Sequence, residues 1–249
     1  MTWHPMLRRF ICATQFLTRL PTPPIKDFVA ADLSRSASYF PVVGLIIGAI
    51  IAGGVTLLVR IDPTVAALIG VVLWVWVTGG LHLDGLGDVA DALGASHRSP
   101  ERFAEVLRDP HLGAFGVIVI ALQIAAKLVL LAAVARTGQV WAVILIPAWA
   151  RWGTMVWSEA VPPLQTGMGE RFSWAIDRSA IVAWGMVLVL ASAWLAPALL
   201  LALPLVGAVV AYWRWRLGGI TGDCLGASVE VVESLLLLVL VVANSLLPL

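Results

Sequence analysis

The sequence predicts an all-α fold: a polytopic bundle of about six to seven transmembrane helices, entered through an N-terminal interfacial helix. Three observations carry this. Hydrophobic residues make up 60% of the 249 and charged residues only 12%, about half the charge of an ordinary soluble domain. Apolar runs recur at lengths near the roughly 20 residues that cross a bilayer. The basic residues divide unevenly among the segments joining those runs. The whole chain, 1–249, reads as one integral membrane domain. Its net charge of +1 offers no argument for binding nucleic acid. Cys12 and Cys224 are too far apart in sequence for metal-type spacing and read as two reduced thiols.

The elements follow in order. Across 7–20, Phe10, Ile11, Ala13, Phe16, Leu17 and Leu20 form an apolar helix face flanked by Arg8, Arg9 and Arg19. That pattern predicts a helix lying in the interface, ended by Pro21, Pro23 and Pro24. The same arginines interrupt any signal-peptide core. Spans are expected at Tyr39–Val59, Thr64–Leu81, Leu112–Ala135, Gln139–Val156, Ala180–Leu200 and Ser228–Leu247. The apolar run beyond Leu200 continues to Tyr212 and is broken by Pro197 and Pro204, which reads as two short spans with a tight turn or as one span plus a re-entrant piece. Counting it as two gives seven spans.

Seven spans put Arg8, Arg9, Arg19, Lys26, Arg35, Arg98, Arg102, Arg108, Arg151, Arg171, Arg178, Arg214 and Arg216 on one side. Only Arg60 and Arg136 fall on the other, and Lys127 falls within a span. The positive side is cytoplasmic by the usual rule. The expectation is therefore a multi-pass inner-membrane protein with a cytoplasmic N-terminus. The Trp residues, among them Trp74, Trp76, Trp213 and Trp215, read mostly as interface anchors.

Two acidic stretches then share the cytoplasmic side, within 82–111 and 213–230. In HLDGLGDVADALGA, His82–Ala95, the spacing of Asp84, Asp88 and Asp91 is i, i+4, i+7. On a helix these carboxylates fall within an arc of about 60°. They repel one another, and no basic residue lies between Arg60 and Arg98. Hard oxygen donors of this kind suit Mg²⁺ or Mn²⁺. The plainer reading, an acidic first helical turn favoured by the dipole, explains Asp84 but not Asp91. In GGITGDCLGASVE, Gly218–Glu230, Asp223 and Glu230 are again seven apart. Glu230 and Glu233 open an apolar span, where ionisable groups are rare and usually functional. Gly222 and its neighbouring glycines permit a ligand's close approach.

Between the two lies RDPHLGAFG, Arg108–Gly116. Arg102, Arg108 and His111 are candidate phosphate partners, with Arg108 also a candidate for stabilising developing charge. Lys127 is left between a carboxylate partner, a phosphate and snorkelling. Asp84, Asp88, Asp91 and Asp223 are the candidate metal ligands; Arg102, His111, Gly222, Asp223 and Glu230 are the candidate substrate contacts. Carboxylate-held Mg²⁺ beside arginine suggests phosphoryl or phosphodiester transfer. No Walker-type loop or Cys/His zinc motif is present in the sequence.

With FLTRLPTP (Phe16–Pro23) and YFPVVGLIIG (Tyr39–Gly48), these motifs resemble the cobalamin synthase family, the adenosylcobinamide-GDP ribazoletransferases, over nearly the whole chain. Against the family's usual DGLADTADGLGG, Gly87, Val89, Ala92 and Ala95 are departures, and the aspartates are kept. The resemblance implies a Mg²⁺-dependent step late in vitamin B12 assembly. Adenosylcobinamide-GDP is joined to α-ribazole or its 5′-phosphate, and GMP is released. The implied partners are these small molecules and the lipid bilayer, with no nucleic acid; a homo-oligomer is left open. Two other readings compete. A CDP-alcohol-type phosphotransferase also uses spaced membrane aspartates, but the Ala-Arg pair of its motif does not precede the aspartates here. A cation-coupled transporter predicts repeated halves, and no clear repeat is seen.

Overall fold

A computed structural model describes residues 4–25, 30–96, 99–164 and 176–246. The chain is all-α, and no strand occurs among the described residues. Lys26, Arg98 and Arg171 of the charge count lie outside them.

Helix α1 (Pro5–Leu17) is the expected amphipathic N-terminal helix: Ile11, Ala13 and Leu17 are buried while Met6, Leu7 and Phe16 are exposed. A short α2 (Ala30–Ser36) is tied to it by an Arg8–Asp32 ion pair of 2.7 Å. Then come α3 (Phe40–Leu58), α4 (Pro63–Thr78), α5 (Leu81–Ala95), the short α6 (Pro100–Val106) and α7 (Ala114–Arg136). They are followed by α8 (Leu145–Ala160), α9 (Arg178–Leu195), α10 (Ala202–Arg216) and α11 (Gly222–Leu246). Six helices among the described residues are long and apolar enough to cross a membrane, and the bent pair α4–α5 makes a seventh when taken as one span.

The Pro-broken run does form two helices. α9 ends at Leu195, a 3₁₀ turn begins at Pro197, and Pro204 sits in the first turn of α10, where a missing N–H costs nothing. Both helices expose much of their apolar surface, with Leu190 and Trp194 at 70% and 85%, as lipid-facing spans do.

The ends of the helices sort as the charges predict, with one correction. Arg136 donates to Thr64 at 3.0 Å and Asn244 to Thr137 at 3.3 Å, gathering the start of α4 and the ends of α7 and α11. At the opposite ends, Arg178 pairs with Glu159, Arg214 donates to the Ala160 carbonyl and Arg216 reaches Ser96. Arg151 does not belong to that rim. Arg151 lies within the span Val140–Ala160, as within the expected Gln139–Val156, and it is fully buried in the bundle instead of at its rim. The tryptophans need a correction too. Trp76 and Trp215 are exposed, but Trp74 and Trp213 are core residues, and Trp213 donates to Ser228 at 2.8 Å.

Candidate functional site

The site is made by a break in a span. Gly79 and Gly80 take left-handed conformations, φ 65° and 72°, which side chains bearing a Cβ adopt only under strain. There the chain turns 87° from α4 into α5. The sequence marked Leu81 as the end of a span; it is the start of a second, bent half.

Helix α5 then runs against the first turns of α11. Gly226 packs on the His82 backbone, and Gly85 packs on the backbone of Asp223, so the two helices are antiparallel. Most of the second acidic stretch is helical: Asp223 sits in the first turn of α11 and Glu230 two turns further in. A Cβ on Gly85 would lie 3.0 Å from the Asp223 carbonyl oxygen and 3.1 Å from its Cα. Glycine thus sets the spacing of the two acidic motifs. Gly85→Val is expected to force the helices apart and lower turnover by about tenfold or more, since misplacements of about 1 Å are that costly. Steady-state rates on protein of unchanged helix content check this.

This contact brings four carboxylates together. Asp88 lies within electrostatic reach of Asp84, Asp223 and Asp91, and Asp223 within reach of Asp84. Asp84 is exposed; Asp88 and Asp223 are half-buried. Among the described residues, none of these four pairs with a basic side chain. Asp91 differs from the rest. Its two oxygens accept from the Gly113 and Gly116 backbone N–H groups at 2.7 and 3.0 Å, so it caps the start of α7.

The other candidates are more scattered. Arg102 pairs with Glu105 at 2.7 Å on the surface of α6, and Arg108 is exposed and itself engaged. His111 bonds Asp109 at 2.7 Å with its side chain 88% exposed; ring and backbone N–H hold the Asp109 carboxyl below its ordinary pKa. Gly222 faces open space. Glu230 is turned inward, 2.7 Å from Lys127 and 2.9 Å from the Gln123 amide.

Beneath the acidic group lies a buried charge network that sequence reasoning only half found. Lys127 pairs with Glu233 at 2.6 Å as well as with Glu230, and sits 4.2 Å over the Trp74 ring. Arg151 bonds the other Glu233 oxygen and approaches His82 Nδ1 at 3.3 Å. Two cations and two carboxylates balance in a region shielded from water, the condition under which buried ions persist. The network links α5, α7, α8 and α11. Lys127 and both glutamates stood out in sequence as ions inside apolar runs. Arg151 did not, because it counts with the basic residues of the positive side.

Among the described residues, no three His, Cys, Asp or Glu side chains are arranged to hold a metal ion between them. Asp84, Asp88 and Asp223 nevertheless fit Mg²⁺ in donor type and charge. That ion usually takes one or two carboxylates and completes its shell with water and substrate phosphate rather than with an all-protein cage.

The chain matches the cobalamin-5-phosphate synthase family model over residues 9–241. Among curated relatives, it is 53% identical to the adenosylcobinamide-GDP ribazoletransferase of Laribacter hongkongensis, over 96% of this chain and 99% of that one. It is 50% identical to the protein of that name from Thiobacillus denitrificans, over 93% and 94%. With the Novosphingobium aromaticivorans protein of that name, identity is 46% over 93% and 95%. No solved structure matches.

Proposed function

This chain belongs to the cobalamin-5-phosphate synthase family, and from that premise we propose that it transfers the adenosylcobinamide phosphate group of adenosylcobinamide-GDP to α-ribazole or α-ribazole 5′-phosphate, releasing GMP. The observation that supports this reading is the α5–α11 contact, which sets Asp223 beside Asp84 and Asp88 without a basic partner.

One or two of Asp84, Asp88 and Asp223 would hold Mg²⁺ together with the diphosphate and water. Bound there, the ion supplies charge neutralisation for the phosphate oxygens. The ribose hydroxyl of the acceptor attacks the phosphorus on the cobinamide side. The bond from that phosphorus to the GMP oxygen breaks, and GMP leaves with the electron pair. A carboxylate of the group takes the hydroxyl proton, and Asp84, the exposed one, passes it most directly to water. Asp91 fixes the start of α7 against α5, and the buried network fixes α11, so the carboxylates are held before substrate arrives. The rim bearing Arg178, Arg214 and Arg216 is the cytoplasmic face of the bacterial inner membrane in this reading.

The test is GMP release by the purified chain in liposomes, given adenosylcobinamide-GDP and α-ribazole 5′-phosphate, with and without divalent metal. Mg²⁺-dependent release is expected. A chain that instead moves a cation across the vesicle and releases no GMP would support the transporter reading.

A further inference from the structure

We propose that Arg216 holds the 5′-phosphate of the ribosyl acceptor; this rests on the transfer reaction proposed above. The guanidinium of Arg216 is set apart by its unmet bonding. Among the described residues, Nη1 is buried and has no hydrogen-bond partner, and Nη2 reaches only the Ser96 hydroxyl, at 3.4 Å, long for a hydrogen bond. Arg8, Arg102, Arg151 and Arg178 each have a carboxylate, whereas Arg216 stands in no ion pair among the described residues. A buried cationic donor left unused costs free energy and calls for an explanation. Arg216 as a whole is half-buried, and its planar fork matches a phosphate, which such a fork can bind through two bonds at once.

Its position says which phosphate. Arg216 ends α10, six residues before α11 begins, and so leads into Asp223. Ser96, which it touches, follows the last residue of α5. Asp88 is eight residues earlier, about 12 Å along the helix at 1.5 Å per residue. The reacting diphosphate must lie at the carboxylates. A phosphate gripped beyond the far end of α5 belongs to a substrate whose anionic group is remote from the reacting hydroxyl. A ribose 5′-phosphate meets that description. The plainer role for Arg216 is a positive charge at the α5 C-terminus.

KM values for α-ribazole 5′-phosphate and unphosphorylated α-ribazole separate the two roles, measured with the wild type, Arg216→Met and Arg216→Lys. Arg216→Met is expected to raise the KM of the phosphorylated acceptor by about tenfold or more, as for a lost charge-assisted bond. The KM of α-ribazole should stay put, and Arg216→Lys should recover part of the loss. Equal increases for both acceptors, or none for either, would overturn the proposal and leave Arg216 as a helix-end charge. If the wild type releases no GMP with either acceptor, it is the transfer reading itself that fails.

Discussion

Asp88→Asn is expected to lower turnover by about a hundredfold or more, the scale of losing a charged group that takes part in the reaction, while the chain folds and inserts normally. Asp88 is the centre of the acidic group, since its charge interacts with Asp84, Asp91 and Asp223. It makes no ion pair among the described residues. Asparagine keeps its size and removes a negative charge from a crowd of them, so the folded bundle has no reason to weaken. Single-turnover GMP release on purified protein of matched melting temperature measures this directly. Wild-type turnover in Asp88→Asn would remove the residue from the reaction. Asp91→Asn should behave differently: one capping oxygen remains, and the effect should fall on the α5–α7 contact more than on chemistry.

Glu233→Ala should act the opposite way, on the fold first. The side chain is fully buried and bonds both Lys127 and Arg151. Its removal leaves two buried cations facing Glu230 alone, and breaking a buried pair from one side costs about 3–5 kcal/mol. The measurement is reversible unfolding in detergent, or the yield of folded protein where unfolding is irreversible. The double variant Glu233→Met with Arg151→Met should recover much of the loss, because removing both partners leaves only the Lys127–Glu230 pair. If Glu233→Ala unfolds like the wild type, the network is not what holds α5, α7, α8 and α11 in register.

These two cases also show how far the sequence could be read. The spans were legible because each needs only a run of apolar residues near a fixed length, and the Pro197–Pro204 split followed from proline's missing N–H. The α4–α5 break was visible as Gly79–Gly80, but hydropathy cannot tell a span that ends from one that bends. Asp84, Asp88 and Asp91 were correctly placed on one helical face. Periodicity could not show that Asp91 would meet the N–H groups of Gly113 and Gly116, because that contact is made 22 to 25 residues away in the chain. Glu230 read as a ligand contact for the same reason: its Lys127 partner is a tertiary fact. Arg151 was misread because one basic residue near the end of an apolar run looks the same whether it faces lipid headgroups or a buried carboxylate.

The central claim is that both acidic stretches form one centre. Mn²⁺ binding to the purified chain, followed by its electron paramagnetic resonance signal in the presence of the diphosphate substrate, tests this most directly. Asp88→Asn and Asp223→Asn, one from each stretch, should each weaken the same class of site. Binding to Asp223→Asn that matches the wild type while Asp88→Asn binds poorly would mean that α11 contributes no oxygen to the centre, and would contradict the claim.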